Sequence, residues 1–202
     1  MRNATKVFLS AVCLGLGISA TTLVQAEDKK PTAPGQPTPE QMEKMVKAGT
    51  PGEHHKRLEM MAGTFDAAMS CYGPMQMPPS KGVTKNTMIL GGRWLSSEFA
   101  GEMMGQKYEG HGLMGYDNTA KKFVGTWVDS MGTQMANFEG TADAAGMITV
   151  ASEGIDPMTD QKMKMRMTYV IQDKDKHTFT MYMPGPDGKE AKMMEIVYTR
   201  VK

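Results

Sequence analysis

The sequence predicts an all-β protein, an antiparallel up-and-down β-barrel of about ten strands with short helices on its N-terminal side. Three observations carry that expectation. Beyond residue 62, short runs rich in Thr, Val, Tyr, Phe and Met alternate with Gly, Asn, Asp and Pro turn signals. The connections between runs are short, which favours antiparallel neighbours. A meander of this size exposes two edges unless it closes, and no later helical pattern is available to cover an open face. A two-sheet sandwich is the alternative.

Taken in order, the chain opens with Arg2 and Lys6 before an apolar run from Val7 to Ile18 and ends this segment at Val24-Gln25-Ala26. That pattern predicts a signal peptide over residues 1–26 with a cut after Ala26, and so a periplasmic or secreted mature chain. The run is too short for a membrane helix, and no later stretch reaches the roughly 18 to 20 apolar residues one needs. No membrane insertion is expected. Residues 27–39 are polar and proline-rich, a disordered tether. Residues 40–62 form a short helical segment. Thr38, Pro39 and Gln41 start one helix running to about Lys47, and Glu53 to Ala62 form a second that stops at Gly63.

The barrel domain is assigned to residues 63–202, with strands near 63–72, 81–91, 93–102, 106–116, 121–129, 133–141, 146–153, 162–172, 176–184 and 190–201. Gly91-Gly92, Asp117-Asn118, Met131-Gly132, Ala145-Gly146, Asp156-Pro157, Asp173-Lys174-Asp175 and the Pro184 to Gly188 stretch punctuate them. The glycines of Tyr108 to Asp117 (YEGHGLMGYD) sit in strand grammar, where they are expected to allow a sharp barrel bend.

Composition limits the function classes. Removing residues 1–26 takes away Arg2 and Lys6, so 23 basic against 22 acidic residues become 21 against 22. Charges are scattered, and no nucleic-acid partner is indicated. Cys13 falls in the signal segment behind Val12, which does not suit lipid attachment, and Cys71 is then the one remaining thiol. One thiol makes no internal disulfide, and Cys71 is read as a small buried hydrophobe. The mature region has four Leu, five Ile, eight Val and five Phe in 176 residues but 22 Met. Methionine must therefore supply much of the core.

Residues Lys162 to Met167 (KMKMRM) show how. By strand alternation Met163, Met165 and Met167 share a face with Tyr169 and Ile171, while Lys162, Lys164 and Arg166 face solvent. Phe179, Met181 and Met183 repeat the pattern on the next strand. Same-face neighbours on one strand lie about 7 Å apart, so three thioethers of a single segment do not meet on one ion. A metal site would have to borrow from a neighbour, for instance Met165 with Met181 and Met183, or His177.

Catalytic patterns are absent. There is no G-x-S-x-G motif, no phosphate-cradling loop and no His-Glu-x-x-His spacing. His54, His55, His111 and His177 are read as structural or exposed, and no cofactor is expected. An enzyme using Asp129 and Tyr116 near a barrel mouth is the weakest of the readings.

Three segments, His55 to Phe65, Tyr108 to Asp117 followed by Lys122 to Met135, and Met194 to Val201, resemble the bacterial family called domain of unknown function 1579. That family resembles in turn the calycin superfamily of lipocalins, fatty-acid-binding proteins and nitrobindins, which implies a calycin/lipocalin-like barrel able to hold a small ligand. Gly63-Thr64-Phe65 and Arg200 echo the lipocalin Gly-x-Trp with a last-strand Arg laid over the ring, with Phe in place of Trp. The last strand has no His, so haem is not carried over.

The expected function is a non-enzymatic exported barrel whose partner is a small apolar molecule. Its expected lining is Met163, Met165, Met167, Met181, Met183, Phe179, Tyr116 and Trp127. The alternative is Cu(I) or Ag(I) sequestration through methionine thioethers. Oligomeric state is not legible.

Overall fold

The computed structural model describes residues 36–72, 78–157, 159–185 and 187–202. The expected signal segment and nearly all of the expected tether lie outside the described residues. Helices α1 (Pro39–Gly49) and α2 (Glu53–Glu59) precede ten strands. These are β1 (Gly63–Cys71), β2 (Ser80–Ile89), β3 (Trp94–Met103), β4 (Gln106–Asp117), β5 (Lys122–Asp129), β6 (Ala136–Ala142), β7 (Ile148–Ile155), β8 (Lys162–Ile171), β9 (Lys176–Pro184) and β10 (Glu190–Arg200).

Every strand pairs antiparallel with its sequence neighbours, and β1 also pairs with β10, which closes the barrel. The up-and-down barrel is therefore observed and the sandwich is not. Helix α2 ends three residues earlier than expected. Met60, Met61 and Ala62 continue it as a tighter turn, each N–H donating to the carbonyl three residues back. At its start the Gly52 N–H donates to Nδ1 of His55 at 3.0 Å, so a histidine ring does the work of a capping side chain.

The two barrel ends differ. At one end α2 buries Leu58 among Met61, Leu95, Phe123 and Ile148. There Arg200, near the end of β10, acts as a latch. Its guanidinium lies 4.4 Å from the centre of the Phe65 ring, and it donates to the carbonyls of Ala62 (2.8 Å), Met60 (3.3 Å) and Lys174 and to Asp175 (3.1 Å). Gly63 has φ +131°, and a Cβ there would stand 2.0 Å from Arg200 Nη1. Only glycine satisfies both the backbone angle and the closeness of the guanidinium.

The opposite end carries the β1–β2, β3–β4, β5–β6, β7–β8 and β9–β10 connections. On β8 the cations face outward as alternation requires. Lys164 pairs with Glu153 directly across on β7 (3.0 Å), and Arg166 crosses the Tyr182 ring to make a two-pronged contact with Glu190 (2.8 and 2.6 Å). No described helix is long and apolar enough to cross a membrane.

Candidate functional site: a methionine-lined cavity

Inward-facing side chains of the barrel leave a cavity of about 540 Å³. Its lining draws on most of the strands and includes Met61 from the turn after α2. Ten methionines reach it, together with Phe99, Tyr108, Trp127, Tyr169, Phe179 and Tyr198. Such breadth follows from the small number of aliphatic residues noted above. Flexible thioethers border the space that a leucine core would fill more rigidly.

Of the eight residues expected to line a pocket, Met165, Met167, Met181, Phe179 and Trp127 border this cavity, whereas Met163, Met183 and Tyr116 are not among its lining. Met163 and Met183 lie one inward step further towards the loop-bearing end, opposite Gly154 and Ala191. Tyr116 lies at the other end, beneath α2. Its ring is 4.0 Å from that of His54 and 5.0 Å from Phe123, so the helix seals it off. Tyr116 pairs with Phe123 at the start of β5 and Asp129 ends that strand. Six residues of strand separate their positions by about 20 Å, so the fold does not bring together the Asp129 and Tyr116 pair.

Asp129 is the lining's one carboxylate, and its partners are protein groups. Its Oδ2 accepts from the Tyr108 hydroxyl and the Trp127 indole N–H, both at 3.1 Å, and Oδ1 accepts from the Met131 N–H at 2.9 Å. Trp127 lies flat over β4. A Cβ on Gly110 would come within 2.2 Å of its ring and one on Gly112 within 2.8 Å. These two glycines therefore make room for an indole, rather than serving only to bend the strand.

Deeper in, Thr84 and Asn86 satisfy one another (3.1 Å), and Asn86 also donates to the Met61 carbonyl (2.9 Å). His177 is buried between Phe65, edge-on at 4.7 Å, and Tyr198, stacked at 4.4 Å. Burial, helped by nearby Arg200, pushes its pKa down to about 4, and its Nδ1 has no hydrogen-bond partner among the described residues. Burial also raises the phenols of Tyr108, Tyr169 and Tyr198 and the Cys71 thiol. Apart from Asp129 the wall is uncharged at neutral pH.

Sequence reasoning missed His177, Tyr198, Tyr108 and Met194 as lining. Alternation does carry a signal for two of them, since Tyr108 shares a face with Tyr116 and His177 with Phe179. Cys71, expected as a small buried hydrophobe, is half-buried and borders the cavity.

The model of the family described as a protein of unknown function (DUF1579) matches residues 50–200. The chain belongs to that family. Among solved structures, Rv2717c from M. tuberculosis aligns over 76% of this chain and 100% of its own at 13% identity, with a TM-score of 0.54. The S-type phycobiliprotein lyase CPES from Guillardia theta aligns over 78% of this chain and 97% of its own at 10% identity, also with a TM-score of 0.54. At these identities the likeness is one of fold, shared with the closed antiparallel β-barrel described above. No curated protein matches.

Proposed function

We propose that this family member is an exported, non-enzymatic barrel that takes one small, apolar, uncharged molecule into its interior. The observation that supports the reading is the cavity itself. Its volume of about 540 Å³ falls within the range of roughly 300–1,000 Å³ usual for small-molecule sites. No lysine or arginine borders it, and its single carboxylate is already held by three donors. A charged ligand would enter without a counter-charge, at a cost an uncharged one avoids. The contact set is Met165, Met167, Met181, Phe179 and Trp127, whose thioethers can repack around the guest.

The test is titration with an uncharged apolar fluorophore, N-phenyl-1-naphthylamine, with competition by decanol and by decanoate at equal chain length. Saturable one-to-one binding, displaced better by the alcohol than by the anion and weakened by the cavity-filling Met165→Trp, is the expected result. Linear, non-saturable fluorescence, unchanged in Met165→Trp, would refute it. Export is tested separately by the intact mass of protein from the cell envelope, which should begin at Glu27.

A further inference from the structure

The thioethers that cannot meet along one strand meet across several. Met167 on β8 stands directly opposite Met181 on β9, Met181 opposite Met194 on β10, and Met194 opposite Cys71 on β1. All four border the cavity. Directly opposed residues on antiparallel strands have Cβ atoms only about 4.5–5.5 Å apart, against about 7 Å for same-face neighbours on one strand. Four sulfurs thus form a continuous row at one level of the wall.

A second feature adds a fifth. The register between β9 and β10 slips between Lys192 and Met194, a bulge that turns two consecutive residues, Met193 and Met194, towards the same cavity. An unbroken strand would send one of them outside. The Tyr72 N–H donates to the Met193 carbonyl at 2.8 Å and ties the bulge to the segment just after Cys71.

We propose that Cys71, Met181, Met193 and Met194 form a soft-metal site that takes one Cu(I) or Ag(I) ion. This goes beyond the apolar-ligand reading, though the two share a wall. The donor chemistry selects the ion, since thioethers and a thiolate suit soft monovalent copper or silver. Among the described residues no group of three or more His, Cys, Asp or Glu side chains is placed to hold a harder cation. On binding, the Cys71 thiol gives its proton to solvent and its sulfur bonds to the metal. The thiolate then neutralises the single positive charge, so the buried complex is uncharged.

The test uses the reduced full-length chain carrying Cys13→Ser, so that Cys71 is its one thiol, under anaerobic conditions, with Cu(I) delivered from a bicinchoninate competitor. Expected are one equivalent bound, about one proton released per metal in weakly buffered solution, and a near-ultraviolet thiolate-to-copper absorption band. Met181→Leu with Met194→Leu keeps volume and removes two donors, and should weaken binding about 10- to 100-fold. Cys71→Ser should abolish both the proton release and the band, whereas Met163→Leu should change nothing. Urea unfolding and naphthylamine binding of each metal-free variant report on fold and apolar pocket independently. Affinity unchanged in the double leucine variant with fold intact, or no stoichiometric Cu(I) binding by the Cys13→Ser chain, would overturn the proposal.

Discussion

The buried imidazole of His177 makes the stability of this barrel depend on acidity in a calculable way. In the unfolded chain the ring takes up a proton near its ordinary value of 6.5, whereas in the folded chain burial and Arg200 delay protonation to about pH 4. Above 6.5 both states hold neutral histidine and His177 contributes no pH dependence. Between 6.5 and 4 only the unfolded state binds the proton, so acidification favours unfolding. At 1.36 kcal/mol per pH unit, the full loss is roughly 3 kcal/mol. Replacing His177 by Phe keeps a ring between Phe65 and Tyr198 and removes the titration. Urea unfolding of both chains should then show the variant gaining roughly 3 kcal/mol relative to the parent between pH 7.5 and pH 4. His55, also held below its usual range by burial, is common to both chains and cancels. A difference independent of pH would refute the assignment of a neutral, desolvated His177.

Three further outcomes follow from the same geometry. Arg200→Ala removes the cation over Phe65 and leaves the carbonyls of Met60, Ala62 and Lys174 without that donor; a loss of about 2–3 kcal/mol by urea unfolding is expected, and Arg200→Lys should recover only part of it because an ammonium lacks the fork. Gly110→Ala would place a methyl 2.2 Å from the Trp127 ring, so in a Trp94→Phe background the indole emission should shift to the red and naphthylamine binding should weaken. Gly63→Ala combines a strained positive φ with a 2.0 Å approach to Arg200 and should destabilise at least as much as losing the latch itself, measured in the same way.

The strands were readable because one face of each is buried, and period-two alternation records that directly. Lys162 to Met167 is the clearest case. The turns were readable because Gly91, Gly92, Gly146 and Gly188 take positive φ and because Asp117 and Asp173 accept hydrogen bonds from the turn N–H groups that follow them. Three things were not readable. Register was invisible, and with it the pairing of Met167, Met181, Met194 and Cys71, since alternation states which face a residue takes but not which residue stands opposite. The slip between Lys192 and Met194 breaks alternation without any local glycine or proline to mark it. The depth of a residue along the barrel axis was also hidden, which is why Tyr116, on the correct face, lies under α2 beyond the cavity. The latch was legible as Gly63, Phe65 and Arg200, because a family resemblance pointed to those positions.

Closure between β1 and β10 has a consequence for how the chain is made. Ala62 and Arg200, joined by a hydrogen bond, are 138 residues apart, and one edge of the first strand has no partner until the last one has been synthesised. Until β10 docks, that edge is an open template of unpaired amide and carbonyl groups. The barrel therefore cannot complete itself progressively from its N-terminal end, and the step that seals it carries the largest loop-closure entropy in the molecule, which places folding in the slow, milliseconds-to-seconds class of non-local β topologies. A chain cut before residue 190 would keep nine strands with two unpaired margins, β1 and β9, each able to template pairing with another chain.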